Sequence, residues 1–373
     1  MKNHRLCFIF YVSLICLIPQ VNHACTGFNL SHGEQHLVGR NTDWYVEDCL
    51  LIVNKRGVQK TALQFPPKVS AQPAKWTSKY GSVTFNQAGC EQPFSGMNET
   101  GLVVQLLALA EAKYPTPDSH PSINQLQWVQ YQLDNFSTVK EVISSVSKLR
   151  ITKRDGAFGI HLLVCDRMGN CAVIEFLGGK IVHYTNESMP INVLTNNTYA
   201  ESVESWKSGK LLTSDDWRSI ERFTQAANMI KNYDPKPSMS AVDYAFDILT
   251  KVEMGDPTKV EGKRMRSSFI ATEWSIVYDM HNLKIYFRTF ENQKIRFVNL
   301  TKFDFSCKNP MKVLNIHTDL SGDVTSNFID YTQKINRNLI ENSYRKTSFL
   351  RNTPKDELDR ISRYPENSIC TDK

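Results

Sequence analysis

Cys25 is the residue with the clearest chemical potential, because of the segment that precedes it. A short basic head is followed by an apolar run over residues 6–18, then by polar residues and the small Ala24. This order is typical of a secretory signal peptide over residues 1–24. A run of this length is too short for a hydrocarbon core that needs about 20 residues. Cleavage after Ala24 would make Cys25 the first residue of the mature chain.

A cysteine at a chain terminus carries two reactive groups on one residue. The reference pKa of a thiol is about 8.5 and that of an α-amine is about 7.7–8.0, so both titrate near neutral pH. The amine can take the thiol proton directly or through a water molecule. A nucleophile and its base are then present without a separate histidine, as in other N-terminal nucleophiles.

The residues that follow Cys25 predict a hairpin that places a cation near the thiol. If Ser31 pairs with His36 across the turn, Cys25 lies opposite Thr42 and Gly27 lies opposite Arg40. Diagonal neighbours on one face of a sheet are about 7–8 Å apart, which an arginine can reach. A cation at this position favours the thiolate. Asp43 would face the other side of the ladder unless a bulge or a strand end turns it inward.

Five short motifs, the first of which begins at Cys25, together resemble a known family by their order along the chain. They are Cys25-Thr-Gly, Gly39-Arg-Asn-Thr-Asp43, Gly96-Met-Asn-Glu-Thr-Gly-Leu102, Val193-Leu-Thr-Asn196-Asn197 and Glu221-Arg222-Phe223. In this order they resemble the choloylglycine hydrolases, linear-amide C–N hydrolases of the N-terminal-nucleophile superfamily that include bile salt hydrolases and penicillin V acylases. The resemblance extends from Cys25 to about Val298.

The resemblance implies a fold and a set of site residues. The fold would be α+β, a four-layer αββα sandwich of two stacked antiparallel sheets between helices. Cys25 resembles the nucleophile, with its own amine as base, and Arg40 and Asp43 resemble the pair beside it. Asn196 resembles the side-chain donor of the oxyanion hole, and Arg222 a second active-site arginine. Counting from Asn98, the backbone N–H of Ala108 resembles the other oxyanion donor. No metal or cofactor is required.

Other interpretations of the same residues remain open. The chain could be an exported binding protein on this scaffold with Cys25 inert or lipidated, although lipid attachment normally needs an aliphatic residue where Asn22 stands. The alternative to a cleaved signal is an N-terminal membrane anchor. Taken singly, Arg40 and Asp43 would be an exposed ion pair. Asn196 would belong to a turn, and Arg222 would be a solvated helix residue. An apolar set could line an acyl pocket or belong to the core: Trp44, Tyr45, Leu106, Leu107 and Leu109.

Composition excludes several classes of protein. Of the 373 residues, 41% are hydrophobic and 22% are charged, which is ordinary globular composition and excludes a disordered polyelectrolyte, a collagen-like fibre and a polytopic membrane protein. The net charge of +6 is spread without a run of one sign, so no nucleic-acid partner is expected. We expect a periplasmic or secreted protein that takes a small N-acyl amide and has no stable membrane insertion after signal removal. A homo-oligomer is possible.

The spacing of apolar and turn residues predicts one layered α+β unit. Strands are predicted within 26–40, 159–195 and 272–298, helices at 219–232 and 240–252, and a helix near 325–345. Residues 65–95 are predicted to be loops, and two capping boxes are predicted, at Ser122 and Thr138. The domain division is a signal peptide at 1–24, a hydrolase domain at 25–300 and a C-terminal extension at 301–373 that packs on the same domain.

Seven cysteines remain once Cys7 and Cys16 in the signal are set aside. An odd number in an oxidising compartment leaves at least one free thiol, which would be Cys25. Cys165 and Cys171 flank a turn between two apolar strands and could face each other across a hairpin. The other pairings are not fixed by the sequence.

Overall fold

The computed structural model describes residues 24–65, 72–209, 219–255, 258–260, 263–265 and 270–371. Ala24, the last residue of the predicted signal peptide, is therefore described, and residues 1–23 lie outside the described residues, as do Cys7 and Cys16. Part of the predicted loop at 65–95, residues 66–71, also lies outside them.

The first large sheet contains the hairpin that carries Cys25. Its strand order is β14-β1-β2-β17-β18-β19-β21, antiparallel except for the last pair. The strands are β1 (Ala24–His32), β2 (Gln35–Trp44), β14 (Val193–Leu194), β17 (Ala271–Asp279), β18 (Lys284–Thr289), β19 (Arg296–Asn299) and β21 (Gly322–Asp323).

The second large sheet lies against the first, with the order β13-β12-β11-β8-β7-β6-β3-β20-β22 and antiparallel pairing throughout. Its strands are β3 (Leu50–Asn54), β6 (Ser82–Asn86), β7 (Pro93–Asn98), β8 (Val103–Ala108), β11 (Ile160–Cys165), β12 (Cys171–Leu177), β13 (Lys180–Thr185), β20 (Lys312–Asn315) and β22 (Ile329–Asp330).

Helices cover the outer faces of both sheets. They are α1 (Gln125–Asn135), α2 (Val139–Ser145), α3 (Tyr199–Lys207), α4 (Ser219–Lys231), α5 (Ala241–Lys251), α6 (Gln333–Lys346) and α7 (Lys355–Ser362). The remaining short strands pair in small sheets: β9 (Ser122–Asn124) with β10 (Arg150–Thr152), β15 (Thr258–Val260) with β16 (Lys263–Met265), and β4 (Val58–Thr61) with β5 (Lys75–Thr77) and β23 (Ile369–Cys370).

The layers follow the αββα order implied by the sequence motifs. One core lies between the two sheets and extends under α4 and α5, and it contains Cys25, Phe28, Trp274 and Phe287. A second core lies between α1, α2 and the outer face of the second sheet. Since a sheet in the middle of such a stack is buried on both faces, β1 and β8 consist mostly of buried residues. Among the described helices, none combines the length and the apolar character needed to cross a membrane.

The β1–β2 hairpin has the register predicted from the sequence. Cys25 pairs with Thr42, Gly27 with Arg40 and Ser31 with His36, across a turn where Gly33 adopts φ +57°. A Cβ at Gly27 would lie 2.5 Å from Gln105 Oε1 on β8 of the facing sheet, so a larger residue there would have to displace that side chain. The glycine lets the start of β1 approach the second sheet closely.

Other local predictions have mixed outcomes. The helices predicted at 219–232 and 240–252 are α4 and α5, and Thr138 forms the predicted capping box with Glu141 at the start of α2. Ser122 does not cap a helix, because it belongs to β9 and Asn124 caps α1. The loop prediction for 65–95 is wrong over β5, β6 and the start of β7.

Residues from the C-terminal region complete the second sheet and cover one end of it. Strand β20 pairs with β3, and α6 and α7 pack on Leu63 and Ala88 through Ile340, Tyr344 and Ile361. The predicted domain boundary at residue 300 stays a prediction.

The structure contains disulfides between Cys165 and Cys171, which face each other across the β11–β12 turn, and between Cys307 and Cys370. Among the cysteines that the structure describes, Cys25, Cys49 and Cys90 are free and buried.

Candidate active site

The thiol of Cys25 lies beside a buried arginine. Cys25 lies in the buried part of β1, and Arg40 and Thr42 on β2 lie on the same face, since directly opposed and alternate residues share a face. The Nη2 of Arg40 is 3.8 Å from Cys25 Sγ, and its Nε donates to Thr42 Oγ1 at 3.0 Å. Arg40 is therefore held where the hairpin register predicts it.

The charge state of this thiol is set mainly by burial. Burial raises the pKa of the Cys25 thiol, because a thiolate is poorly solvated there. The positive charge of Arg40 lowers this pKa and the negative charge of Asp43 raises it, so the net direction is upward. The expected preference for thiolate is thus offset while the chain still continues through Ala24. A nucleophile at this position needs a base.

The backbone nitrogen of Cys25 is held by the side chain of Asn196. Cys25 N–H donates to Asn196 Oδ1 at 2.6 Å, across 171 residues of sequence. In this chain the nitrogen belongs to the peptide bond with Ala24, which extends β1 and pairs with Asp43. Cleavage of that peptide bond would convert the same nitrogen into an α-amine.

Arg222 connects the nucleophile to Asn196. This buried side chain, from the first turn of α4, donates to Cys25 O at 2.6 Å, to Thr26 Oγ1 at 2.8 Å and to Asn196 Oδ1 at 3.0 Å. Because two donors meet at Asn196 Oδ1, the orientation of the amide is determined, and its Nδ2 donates to Ala108 O at 2.8 Å. The second N–H of Asn196 Nδ2 is not used by the bond to Ala108 O.

The backbone of Ala108 faces Asn196 at the end of β8. Leu109 N–H donates to Gly159 O at 2.8 Å, so the preceding pair, Ala108 with Ile160, exchanges no hydrogen bonds. The N–H and C=O of Ala108 therefore both point away from β11, and the carbonyl is the one that Asn196 contacts. A backbone N–H and a side-chain amide thus lie together, which is the composition of an oxyanion hole.

Asp43 is buried near the thiol of Cys25, and its carboxylate faces Arg222. Its Oδ1 accepts from Thr272 Oγ1 at 2.5 Å. Its Oδ2 is 3.7 Å from Arg222 Nη1 and accepts no hydrogen bond in the described ranges. A bulge in β17 between Thr272 and Trp274 lies opposite this part of β2. Burial raises the pKa of the Asp43 carboxyl to about 6, despite the lowering by Arg222. Asp43 Oδ2 therefore has an ion-pair contact with Arg222 but accepts no hydrogen bond from the described residues.

A buried pair of His161 and Glu175, which the sequence analysis missed, supports the loop that carries Asn196. His161 on β11 contacts Glu175 Oε1 at 3.0 Å through Nδ1 and Thr195 O at 2.7 Å through Nε2. The same Glu175 oxygen accepts from Tyr199 N–H at 2.9 Å at the start of α3. Thr195 immediately precedes Asn196, so this pair holds both ends of the loop that presents the amide. The available sequence signal was a single histidine, His161, within an apolar run.

An apolar cavity opens at the thiol. It is lined by Cys25, Arg40 and Asp43 together with Trp44, Phe94, Leu106, Ala108 and Phe158. Of the predicted pocket residues, Trp44 and Leu106 line it, and Tyr45 stacks on Trp44 with ring centroids 4.4 Å apart. Leu107 and Leu109 are fully buried. Phe94 and Phe158 were not singled out in the sequence.

Comparison with known proteins agrees with the motifs. A sequence model of the "linear amide C–N hydrolases, choloylglycine hydrolase family" matches residues 25–207 and 205–313. Penicillin V acylase from Pectobacterium atrosepticum is 28% identical over 267 residues, which cover 62% of this chain and 69% of that protein.

Solved structures share the fold. The structure of penicillin V acylase from Agrobacterium tumefaciens superposes with a TM-score of 0.69 and 26% identity, covering 83% of this chain and 98% of that chain. A variant of the conjugated bile acid hydrolase from Clostridium perfringens superposes with a TM-score of 0.62 and 20% identity, covering 80% and 98%. At 20% identity, the similarity to the bile acid hydrolase concerns the fold alone.

Proposed function

Because this chain belongs to the choloylglycine hydrolase family and is a hydrolase of linear amides, we propose that it acts after export through Cys25 as an N-terminal nucleophile. The observation that carries the proposal is the bond between Cys25 N and Asn196 Oδ1, at 2.6 Å, with Arg40 3.8 Å from the thiol. These contacts bring together a nucleophile, the nitrogen that becomes its base, and an oxyanion donor.

The proposed reaction starts with proton transfer within one residue. The α-amine takes the proton of the Cys25 thiol, and the sulfur attacks the carbonyl carbon of the substrate amide. Negative charge then develops on the carbonyl oxygen. The free N–H of Asn196 Nδ2 and the backbone N–H of Ala108 stabilise it, and losing one such donor typically costs about 10²–10³ in rate.

Collapse of the intermediate breaks the C–N bond. The α-ammonium gives its proton to the leaving nitrogen, the amine departs, and the acyl group stays on Cys25 as a thioester. A water molecule, deprotonated by the α-amine, attacks the thioester carbonyl. The carboxylic acid is released and the thiol is restored, so one amide and one water give one acid and one amine.

Arg222 and Asp43 have positioning roles in this scheme. Arg222 fixes the carbonyl of Cys25 and the amide of Asn196 relative to each other. Asp43 Oδ2, which accepts no hydrogen bond from the described residues, accepts one from the new α-ammonium once Ala24 is gone, since charge-assisted bonds of this kind are short and strong.

Candidate substrates are conjugated bile salts, penicillin V and N-acyl homoserine lactones. The relatives that support the family at 26% and 28% identity are both penicillin V acylases, so penicillin V is the first compound to test. The proposed location is the periplasm or the medium, because the predicted signal must be removed to free Cys25.

The test begins with the mature protein. Its intact mass and first residue are determined, and hydrolysis of an amide panel is measured with and without a thiol alkylator. We expect a chain that begins at Cys25, alkylator-sensitive turnover, and loss of turnover in Cys25→Ala. Cys90→Ala is the matched control, because Cys90 is also a free buried thiol and does not line the cavity at Cys25.

Three results would contradict the proposal. One is a lipid adduct on Cys25, which would support the binding-protein alternative. Another is processing at a different residue. The third is full activity in a variant with Met placed directly before Cys25 and retained, because that residue blocks the α-amine.

A further inference from the structure

A larger cavity adjoins the one at Cys25. It encloses about 680 Å³ including its open mouth, and it shares the side chains of Trp44, Phe94 and Phe158 with the cavity at the thiol. Trp44 and Phe158 contact each other edge to face, with centroids 5.5 Å apart. We call this larger cavity the distal cavity. It lies on the other side of the aromatic side chains that line the pocket around Cys25.

The far wall of the distal cavity comes from the C-terminal region. Tyr344, Phe349 and Leu350, at and after the end of α6, line it. These residues lie beyond residue 313, where the match to the family model ends. Gly156 adopts φ +76°, and a Cβ there would lie 2.7 Å from Phe349 Cβ, so the loop around Arg154 is packed directly on this wall.

Arg154 brings a cation into this largely apolar cavity. Its guanidinium lies over the rings of Phe65 and Tyr344, at 5.0 and 5.6 Å from their centroids, and Nη2 donates to Thr353 Oγ1 at 2.8 Å. Its Nη1 is buried and meets no acceptor at hydrogen-bond geometry among the described residues, although the Tyr344 hydroxyl lies near the guanidinium. In the described ranges no carboxylate forms an ion pair with Arg154, whereas the nearby Arg360 is paired with Glu357.

A second donor without a partner lines the same cavity. The hydroxyl of Ser343 on α6 lines it, is buried, and makes no hydrogen bond within the part of the chain that the structure describes. Leaving a buried polar group unsatisfied is destabilising, and more so when the group is charged. Two such donors in one cavity indicate that a ligand acceptor, preferably an anion, completes the site.

We propose that the distal cavity binds the far end of the acyl group, and that the chain prefers amides of extended apolar acyl groups ending in a carboxylate, which Arg154 binds. The proposal rests on the proposed function, because it assumes that the acyl group of the substrate bound at Cys25 extends past Trp44 into the distal cavity. The aromatic walls bind the apolar body of that group, and the guanidinium binds its charged end in a fork geometry suited to carboxylates.

The kinetic test compares two substrate series that share one small amine. One series has plain hydrocarbon acyl groups of graded length, and the other has acyl groups of the same lengths ending in a carboxylate. We expect kcat/KM to favour the carboxylate series by about 10- to 100-fold once the chain is long enough to pass Trp44 and Phe158. Arg154→Gln should remove this advantage, mainly through KM, and leave short plain acyl amides unchanged.

Arg360→Gln is the matched control, since Arg360 also lies over Phe65 but is bound to Glu357. It should keep the preference. Equal kcat/KM for the two series at every length, or an unchanged preference in Arg154→Gln, would overturn the proposal while leaving the hydrolase assignment intact.

A binding measurement keeps the question separate from turnover. Titration calorimetry of the full chain with a long dicarboxylic acid and with the monocarboxylic acid of equal length should show about 10-fold or tighter binding of the diacid, lost in Arg154→Gln. Equal affinities would refute the role of Arg154 even if no amide were hydrolysed. Absence of hydrolysis together with Arg154-dependent diacid binding would count against the proposed nucleophile and not against this site.

Discussion

Burial determines the charge states around the candidate nucleophile at the level of single residues. The positive charge of Arg40 lowers the pKa of the Cys25 thiol, as the hairpin register predicts, but loss of solvation outweighs it. The sequence shows which residues are neighbours, whereas the degree of burial depends on the second sheet and on α4. The sign of the shift was therefore beyond sequence reasoning.

Asp43 leads to a prediction about the uncleaved chain. Burial raises the pKa of this carboxyl from 3.8 to about 6, so the folded chain binds the proton more tightly than the unfolded chain. The resulting stabilisation is complete below about pH 4 and is lost as the pH rises through about 6. At pH 7 the ionised carboxylate then costs about 3 kcal/mol, and Asp43→Asn should recover much of this while keeping the acceptor for Thr272.

Urea unfolding of parent and variant across this pH range measures the effect. The two stabilities should coincide near pH 4, diverge between about pH 4 and 6, and differ by a constant amount above about pH 6, with the variant more stable. Asp279→Asn is the control, because the Asp279 carboxylate already accepts two bonds from Asn282. A parent and an Asp43→Asn variant with the same pH dependence would show that the carboxylate is compensated in some other way.

The hairpin of β1 and β2 shows what local sequence can predict at the level of elements. A single turn fixes the pairing of every residue on both strands, so the neighbours of Cys25 followed from counting. Strand β6 could not be found in this way. Its Ser82, Thr84 and Asn86 look like loop residues, but in the sheet they bond to one another and to Asn54 on β3. Only the partner strand makes such a polar strand stable.

The loop before α3 gives a prediction at the same scale. Thr195 O can only accept, so Nε2 of His161 carries a proton and the imidazole is a fixed support for the residue before Asn196. His161→Leu should displace the amide of Asn196 and lower kcat by about 10²-fold with little change in KM, since small misplacements of catalytic groups are costly.

The split between kcat and KM separates positioning from general damage. Glu175→Gln keeps an oxygen that can accept from Tyr199 N–H and should retain more activity than His161→Leu. His183→Leu, on the exposed side of β13, is the control and should behave like the parent. If His161→Leu changes KM and leaves kcat unaltered, the histidine does not act through Asn196.

The layered architecture of the whole molecule was predictable from five short motifs, but the distal cavity was not. Its walls come from segments near residues 65, 154 and 344, which the fold brings together and no periodicity connects. The C-terminal region carries none of the family motifs, so its contribution to a cavity wall appears only once α6 is packed against Leu63 and Ala88.

The disulfide between Cys307 and Cys370 gives a prediction on this largest scale. It closes a segment with a sequence separation of 63 that contains α6, α7 and the cavity wall, whereas the Cys165–Cys171 bridge has a separation of 6. In the chain-entropy model the first bridge contributes about 4 kcal/mol and the second about 2 kcal/mol. Replacing Cys307 and Cys370 with serine should therefore lower the free energy of unfolding more than the same change at Cys165 and Cys171.

Activity should respond to the same substitutions in a selective way. Loosening β23 and the preceding helices disturbs Tyr344 and Phe349 at the distal wall, while Cys25, Arg40 and Asn196 are held by other elements. The double serine variant at Cys307 and Cys370 should therefore have a raised KM for long acyl amides and an unchanged kcat/KM for short ones. An equal loss for both lengths would mean that the C-terminal region supports the reaction centre itself and not only the binding of the acyl end.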